Sequence, residues 1–489
     1  MKEMTNRNIL RALCLLLAAL MLLPLAACGE AAAPSDVTAD GGSGTEVEAV
    51  TEFFPNVEKQ DYQGATFQMI GIRDAGIWVY GEDHTAANVN VLNDTLYEMN
   101  TTVEEYLGIN IAYEYVHHTT GASVIFEAVQ PSVMAGDDTY QLCILPAYRN
   151  VAAFVTQDCV MDLYGLNDYI DLDQPYWNRR VIESLMIGDH AYIATGDICY
   201  YSMHPIYCNK DLLKGAGREI PYDKVRNGTW TLDEYLSLTA DLYVDNGDGV
   251  VNNQDTFGFA GMCDTNFNSF MQASGIYVIT RHNDGSFEFS MYGEKLENLY
   301  EKLYNWVNTD DTHIWSWTNR NNDGLTVDFL DGHTYFTQNA LGTEYLAATF
   351  DVGILPLPKY DTAQDSYAHV NWGDNIAVPR TVKNTKMVGE ALELMSYYSR
   401  TKVRPKYYDD VLELRVSNSP DDREMVELIF NTVVFDPGIA YCDGNASLFS
   451  LVYLPKECLL ANNKNISSYY KRNEKSAKVF LEKKIYGKE

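Results

Sequence analysis

Basic residues are scarce in this chain. Lys and Arg number 36 against 68 Asp and Glu, which gives a formal net charge of −32 at pH 7. A surface of this charge repels nucleic acids and anionic lipids, and we identify no Lys/Arg cluster in the sequence that relieves it. Neither nucleic acid nor a charged membrane surface is therefore expected as a partner, whereas neutral or cationic ligands are compatible with this charge.

Sequence motifs of the common hydrolases are absent. The chain contains no G-x-S-x-G and no H-E-x-x-H. Ser399–Lys402 fits S-x-x-K, but it ends a helical pattern with no K-T-G behind it, so we interpret the match as chance. We expect no enzymatic activity. A lipid-anchored glycoside hydrolase stays an alternative, because an acidic chain always allows a carboxylate pair. A repeat-built adhesin is disfavoured, since no internal repeat is visible.

Cysteine is sparse and lacks metal-site spacing. Of nine cysteines, Cys14 and Cys28 lie near the N-terminus, which leaves seven in the body of the chain. Without a C-x-x-C pair a structural zinc site is not expected, and an odd number in an exported chain leaves at least one unpaired. Cys143, within the apolar run "QLCILP", is predicted to be a small core hydrophobe. The disulfide pairing of the others stays open.

The N-terminus has the layout of a secretory signal. Three basic residues precede the apolar run Ala12–Leu25, whose length of about 14 residues is too short to span a bilayer. Leu25–Cys28 resembles the bacterial lipobox, so residues 1–27 are predicted to be a signal peptide and Cys28 the lipidated first residue of the mature chain. Residues 28–59 then read as a flexible tether. The protein is expected at the extracellular face of the cell membrane, held by its lipid anchor only. The alternative is an ordinary signal peptide with Cys28 uninvolved.

Apolar periodicity predicts an α/β chain. Strand-like runs alternate with helical patterns such as 91–107 and 385–399, and Thr231–Glu234 is a capping box at the start of a further helix. Such alternation favours mostly parallel sheets with helices on their faces. The predicted strands are 65–72, 108–116, 140–146, 350–358 and 375–379.

Four stretches together resemble one known family. They are "YCNKDLLKGAGREIP…GTWTLDEYLSL" (207–238), "FLDGHTYFTQN" (329–339), "FDVGILPLPKYD…AHVNWGDNIAVP" (350–379) and "DDREMVELIFNTVVFDPGIAY" (421–441). Their order and spacing are similar to those of the extracellular solute-binding proteins of bacterial ABC importers, of the carbohydrate-binding kind that includes maltose-binding protein. Together with the lipobox, the resemblance covers nearly all of the mature chain.

The resemblance implies a type II periplasmic-binding-protein-like fold, in which two α/β lobes are joined by crossing strands and close over a solute. The first crossing is expected near 195–204, the second near 336–339 and the third near 379–383. Residues 60–198 and 338–382 are then assigned to lobe 1, and 199–337 and 383–489 to lobe 2.

A sugar receptor needs aromatic platforms and planar polar side chains, and position in the chain selects the candidates. Trp372 lies between polar residues and glycine at the mouth of an apolar strand, which favours a cleft-facing ring. Packing on its own lobe is the alternative. Asp374 and Asn375 follow and could bind hydroxyl groups, or could simply begin the strand.

Further candidates lie at strand ends and in the expected hinge. Tyr148 and Arg149 follow the strand 140–146 at its carboxyl end, where open α/β sheets bind ligands, and Arg73 and Trp78 follow the first strand in the same topological place. A solvated helix start is the alternative for Tyr148 and Arg149. Tyr200 and Tyr201 lie in the presumed first crossing, where a ligand touches both lobes. Three other tryptophans are assigned to packing, namely Trp177, Trp230 and Trp306.

The sequence departs from the maltose-binding relatives after "TQN" (337–339). Those relatives place tryptophans shortly afterwards, whereas Tyr345 is the aromatic residue found there in this chain. The malto-oligosaccharide assignment does not transfer, and the solute stays open.

Residues 244–255, "VDNGDGVVNNQD", resemble a calcium loop of the EF-hand type. Asn246, Asp248 and Asp255 occupy ligand positions, but the first position holds Val244. A turn rich in Asn, Asp and Gly is favoured, with a structural calcium site as the alternative.

The sequence therefore predicts a monomeric, lipid-anchored receptor, without cofactor, that captures a mono- or oligosaccharide and delivers it to an ABC transporter permease. A peptide or cationic nutrient bound by the same fold is the alternative.

Overall fold

The computed structural model describes residues 54–72, 79–81, 91–116, 124–147, 151–308, 313–316, 329–341, 348–407 and 419–487. Contacts group Phe54–Glu489 into one compact unit. No helix within the described ranges combines the length and apolarity that a membrane crossing requires. The predicted signal peptide, Cys28 and most of the tether lie outside the described residues.

The strands found in these ranges are, in chain order, β1 (Ala65–Ile72), β2 (Ile109–Val116), β3 (Leu142–Pro146), β4 (Ile206–Asn209), β5 (Phe257–Met262), β6 (Ile279–Arg281), β7 (Phe287–Phe289), β8 (His313–Ser316), β9 (Thr334–Gln338), β10 (Val352–Leu355), β11 (His369–Val370), β12 (Asp374–Ala377) and β13 (Val433–Val434).

The α-helices are α1 (Val91–Leu107), α2 (Val124–Ala135), α3 (Val151–Thr156), α4 (Arg179–Leu185), α5 (Lys210–Gly215), α6 (Tyr222–Arg226), α7 (Leu232–Thr239), α8 (Cys263–Ala273), α9 (Glu294–Asn308), α10 (Thr385–Tyr398), α11 (Pro420–Asn431), α12 (Pro437–Tyr441), α13 (Ala446–Val452), α14 (Leu454–Leu460) and α15 (Ile466–Phe480). The predicted cap of α7 is confirmed, since Thr231 Oγ1 accepts from Glu234 N at 3.4 Å. The Glu234 carboxylate contacts Lys224.

The first sheet has the strand order β12-β3-β1-β2. β1 is parallel to β2 and β3, whereas β12 runs antiparallel to β3 at the edge, with Asp374 opposite Pro146. Parallel neighbours need a crossover connection, and α1 and α2 supply it. The predicted α/β architecture is thereby confirmed.

The second sheet has the order β10-β4-β9-β5-β8 and is also mixed. β5 is parallel to β8 and β9, and β4 is antiparallel to β9 and β10. Tyr207 of β4 stands opposite Thr337 of β9 and Ile354 of β10. Helices flank both sheets.

Apolar faces explain which helices cover the first sheet. In α1 the side chains of Leu96, Met99, Val103 and Leu107 have no exposed surface, and this three- and four-residue spacing puts them on one face. They share a core with Phe67 and Met69 of β1 and with the buried stripe of α10. A second core contains the opposite face of β3, much of the second sheet and the C-terminal helices.

Two elements pair or pack differently from the predicted lobe boundaries. β10 lies within 338–382, which was assigned to lobe 1, but its ladder joins β4 of the second sheet. α10 lies within 383–489, which was assigned to lobe 2, but its apolar stripe packs with α1 on the first sheet. In both cases a long-range partner, invisible in the local sequence pattern, decides the position.

Candidate functional site

Three chain segments meet where the two sheets adjoin, namely 200–204, 338–341 and 371–375, which we call the junction. β9 ends and β4 and β12 begin at this place. Main-chain hydrogen bonds join the segments: Trp372 N to Ser202 O (2.9 Å), Asp374 N to Tyr200 O (2.9 Å) and Leu341 N to Met203 O (2.7 Å). The junction thus brings together residues far apart in sequence.

Trp372 lies inside the junction and is 5% exposed. Its indole Nε1 donates to Ser269 Oγ of α8 at 3.2 Å, and its ring stacks on Tyr453 with centroids 6.3 Å apart and planes 29° apart. The predicted platform is therefore covered by protein in this conformation. Offering a face to a ligand requires Tyr453 or a neighbouring element to move.

Buried carboxamide side chains lie on the two elements that the Trp372–Ser269 hydrogen bond joins, namely α8 and the junction. Asn266 and Asn268 of α8, and Asn371 and Asn375 of the junction, each have 0% exposure. Several of their polar atoms have no hydrogen-bond partner among the described residues: Asn266 Oδ1 and Nδ2, Asn268 Oδ1 and Nδ2, Asn371 Nδ2, and Asn375 Oδ1 and Nδ2. A buried polar atom left unpaired costs about 1–3 kcal/mol. A ligand with hydroxyl groups would satisfy these atoms.

Contacts connect α8 to the end of β9. A Cβ built on Gly261 would lie 2.4 Å from Asn266 Nδ2, and Gly261 pairs with Gln338. Gln338 Nε2 donates to the carbonyl of His204 at 3.1 Å, and His204 Nε2 is 3.4 Å from Ser202 Oγ. Burial lowers the pKa of His204 to about 4, so the imidazole is neutral at physiological pH.

Tyr200 and Tyr201, predicted in the hinge, have different environments. The carbonyl of Tyr200 accepts from Asp374 N, and its side chain is half-buried. Tyr201 is 7% exposed, and the guanidinium of Arg404 lies 5.7 Å from its ring centroid. Burial, aided by the Asp197 carboxylate, raises the pKa of Tyr201 well above its usual value. Tyr201 is thus a packed, neutral residue.

Arg404 belongs to a charge cluster that the sequence motifs did not reveal. The Asp197 side chain is 3% exposed and pairs with both Arg400 (Nη1 to Oδ2, 2.9 Å) and Arg404. Arg404 also lies 5.5 Å from the ring centroid of Phe430 on α11. The sequence signal for this cluster is the run of basic residues from 400 to 406, and such a run usually indicates a solvated surface.

Asp374 and Asn375 begin β12, as the strand prediction allowed. Asp374 pairs with Pro146 at the carboxyl end of β3 and is 5% exposed. Its carbonyl accepts from Thr195 Oγ1 at 3.0 Å. Asn375 pairs with Leu145, so its side chain lies on the face of the sheet that contributes Leu145 to the core. The ladder thereby puts Asp374 beside the strand end that leads to Tyr148 and Arg149.

The other predicted ligand contacts lie outside the described residues: Arg73, Trp78, Tyr148, Arg149 and Tyr345. The packing tryptophans are confirmed as buried, at 4% exposure for Trp177, 0% for Trp230 and 7% for Trp306. The six cysteines of known environment, Cys143 included, are buried free thiols.

The loop 244–255 brings three carboxylates together. Oxygens of Asp245, Asp248 and Asp255 lie within 4.8 Å of one another. Asp255 is 0% exposed and its Oδ1 accepts from Asn246 N at 2.9 Å. The third carboxylate comes from Asp245. In an EF-hand loop the first ligand would stand at position 244, so the acid in this chain lies one residue further on. A structural calcium site stays the alternative to an ordinary turn rich in Asn, Asp and Gly.

Comparison with known proteins rests on structure. No protein-family model matches the chain, and no curated protein matches it in sequence. An ABC substrate-binding protein from Listeria monocytogenes in complex with cycloalternan aligns with a TM-score of 0.57 and 15% identity, covering 86% of this chain and 98% of that one. The maltose/maltodextrin-binding domain from Bdellovibrio bacteriovorus bound to maltotriose gives 0.53 and 15%, covering 85% and 100%.

A third similar structure is an ABC transporter solute-binding protein from Thermotoga lettingae bound with α-D-tagatose, with a TM-score of 0.53 and 14% identity, covering 85% of this chain and 100% of that one. Identities this low establish the fold alone. The chain therefore has the fold of the ABC solute-binding proteins along most of its length.

Proposed function

We propose that this protein binds a mono- or oligosaccharide at the junction and delivers it to an ABC transporter permease. The observation that carries the proposal is the set of buried carboxamides on α8 and the junction, which Trp372 joins, because their unpaired donors and acceptors match the hydroxyl groups of a sugar. The similar structures support the ligand class, since their titles name cycloalternan, maltotriose and tagatose.

The sheet pairing suggests how two lobes form around this site. We assign the first sheet with α1 and α10 to one lobe, and the second sheet with α11 to the other. The chain then crosses near 200–204, near 371–374 and once more in the connection from α10 to α11. A sugar that contacts both lobes favours the closed form, which the permease recognises. An affinity of about −8 kcal/mol, a micromolar Kd, suffices to load such a receptor.

A thermal-shift screen tests the ligand class. Because Phe54–Glu489 is one compact unit, the chain can be produced from residue 29 without signal and lipid. A ligand that binds only the folded state raises the melting temperature, so we expect a shift with a sugar. A shift with cationic peptides and none with sugars would favour the alternative ligand.

Asn266→Ala tests the site itself. It removes an amide that has no partner among the described residues, so the unliganded melting point should change little, whereas sugar affinity should fall about tenfold, since two hydrogen bonds contribute about 1–3 kcal/mol. The matched control is Asn283→Ala, an exposed residue between β6 and β7. Equal sugar affinity in both variants would contradict the proposed site.

A receptor rather than a hydrolase is favoured by the state of three buried carboxylates. Asp197 pairs with two arginines, Asp422 accepts from Lys210 Nζ at 2.6 Å, and Asp436 accepts from Val278 N at 2.7 Å. Each therefore serves the fold. Chromatography of a sugar that gives a thermal shift checks this interpretation, because product formation would revive the hydrolase.

Lipid anchoring at Cys28 is part of the same proposal. Replacement Cys28→Ser should release the protein from cells, which fractionation followed by immunoblotting measures. Unchanged membrane association would argue for another mode of attachment.

A further inference from the structure

Charge is unevenly distributed along the chain. Between residues 464 and 489 there are eight Lys and Arg against three Glu, whereas the whole chain carries −32. The interpretation that no basic cluster relieves the acidic charge is therefore wrong at the C-terminus. The sequence average concealed a segment that is basic by itself.

The fold presents these cations on one face. α15 buries Ile466, Tyr470, Asn473 and Ala477 against α13 and its neighbours. The opposite face carries exposed Arg472, Lys475, Val479 and Lys483, spaced by three and four residues, and we call these four the basic face. Val479 is 41% exposed. The face therefore combines three cations with one apolar side chain.

The basic face borders a groove of about 590 Å³ between α15 and Asn445. Lys484, Ser476 and Phe480 line it together with the basic face. Four of the eight lining residues are cationic, so an anionic group is the ligand that the groove attracts. Its open shape fits part of an extended surface better than a small enclosed molecule.

These cations differ from the other basic run of the chain. Arg400 and Arg404 share the buried Asp197 carboxylate, and Lys402 Nζ lies 3.4 Å from Glu98 Oε1. No ion pair involves Lys475 or Lys483 in the part of the chain that the structure describes. The charges of Lys475 and Lys483 are thus available to an external partner, whereas the Arg472 guanidinium lies 4.2 Å from the ring centroid of Tyr469.

We propose that the basic face docks the protein on the anionic lipid headgroups of the membrane to which it is tethered. The inference rests on the proposed anchoring at Cys28, because the 25 residues between Cys28 and the compact unit that begins at Phe54 span a root-mean-square distance of about 30 Å and keep the protein near the lipid. Repulsion of the acidic remainder acts only within a Debye length of about 8 Å, so acidic groups farther from the lipid do not oppose this contact. Docking through α15 therefore sets one orientation of the solute site.

Vesicle co-sedimentation of the chain from residue 29 tests the proposal. Vesicles of phosphatidylcholine with about one-third phosphatidylglycerol should bind the protein, and pure phosphatidylcholine should not. Each cation near an anionic surface contributes about 1 kcal/mol, or about fivefold. Lys475→Gln/Lys483→Gln should therefore weaken binding about 25-fold, and Lys59→Gln/Lys214→Gln, two exposed lysines elsewhere, should leave it unchanged.

Several outcomes would overturn the docking surface. These are equal binding to both vesicle types, equal loss in the two double variants, full competition by millimolar inorganic phosphate, or tighter binding to a DNA duplex than to the anionic vesicles. The sugar-induced thermal shift of each variant is measured in parallel. If the wild type shows the sugar-induced shift but does not bind anionic vesicles, only the docking surface is refuted. If the wild type shows no sugar-induced shift, the sugar-binding function is refuted.

Discussion

The substitution Gly373→Ala tests the geometry of the junction most directly. An alanine Cβ at this position would lie 1.9 Å from the carbonyl oxygen and 2.8 Å from the carbonyl carbon of Tyr200, and 2.8 Å from Asn371 Oδ1. Two of these atoms are main chain, so no side-chain rotation relieves the overlap. The neighbouring segments at Tyr200 and Asp374 would have to separate, which endangers the 2.9 Å hydrogen bond from Asp374 N to Tyr200 O.

The expected cost follows from these contacts. Overpacking in a dense core costs about 1–3 kcal/mol, and the clash here is with backbone, which places the variant near the upper value. Loss of one main-chain hydrogen bond adds about 1 kcal/mol. We therefore expect the unfolding free energy to fall by about 3–4 kcal/mol.

Urea unfolding followed by tryptophan fluorescence measures this cost, with Gly215→Ala as the control. Gly215 ends α5 and has nothing within 4 Å of its added Cβ, so its substitution should be neutral or slightly stabilising. The sugar-induced thermal shift should also shrink in Gly373→Ala, because the segments that carry Trp372 and Asn375 move apart. Equal stability of the two alanine variants would refute the close approach of 200 and 373.

Three further predictions concern the junction. Arg404→Gln leaves the buried Asp197 with one arginine, so urea unfolding should show a loss of about 2–3 kcal/mol, and an unchanged midpoint would contradict the pairing. Burial lowers the pKa of His204 to about 4 in the folded protein, below its ordinary value of about 6.5 in the unfolded chain. As pH falls from 6.5 towards 4, the unfolded chain binds a proton that the folded protein does not, so the unfolding free energy decreases by about 3 kcal/mol. In His204→Gln the unfolding free energy should depend less on pH between 6.5 and 4 than in the wild type. The same pH dependence in both proteins would contradict this prediction. Trp372→Ala should cost about 3–5 kcal/mol because the ring is packed. Trp372→Phe loses the hydrogen bond to Ser269 and part of the ring volume but keeps an aromatic ring, so it should cost less, about 1–2 kcal/mol, and weaken the sugar-induced shift. Equal melting points of the two variants would place Trp372 outside the core.

Local sequence patterns predicted the secondary structure well where one face of an element is buried. The stripe of α1 and the cap at Thr231 follow from spacing within a few residues, and both are observed. The register of β12 against β3 and the packing position of α10 depend on partners more than 200 residues away. The periodicity of apolar residues within one segment therefore cannot predict them. The predicted lobe boundaries therefore differ from the pairing at these long-range contacts.

The candidate site was predicted in part. The pattern of polar residues and glycine directly before an apolar strand predicts a site at Trp372, Asp374 and Asn375. The carboxamides of α8 did not, because "CDTNFNSFMQA" has the polar content of an exposed helix and nothing in the sequence shows that both Asn266 and Asn268 are buried. Burial of amides is a tertiary property, set by the contact of α8 with the junction.

Arg404 connects the site to the proposed lobe movement. Its guanidinium pairs with Asp197, which precedes the first crossing, and lies against Phe430 of α11 in the other proposed lobe. A movement of α11 away from the junction therefore separates Arg404 from Phe430 or draws it away from Asp197. Breaking the ion pair between the buried Asp197 carboxylate and Arg404 is strongly destabilising. Loss of the contact between the Arg404 guanidinium and the Phe430 ring costs only about 1 kcal/mol. The cheaper motion leaves the ion pair intact, so Arg404 should stay with the first lobe while α11 swings past it, and the Phe430 contact should report opening.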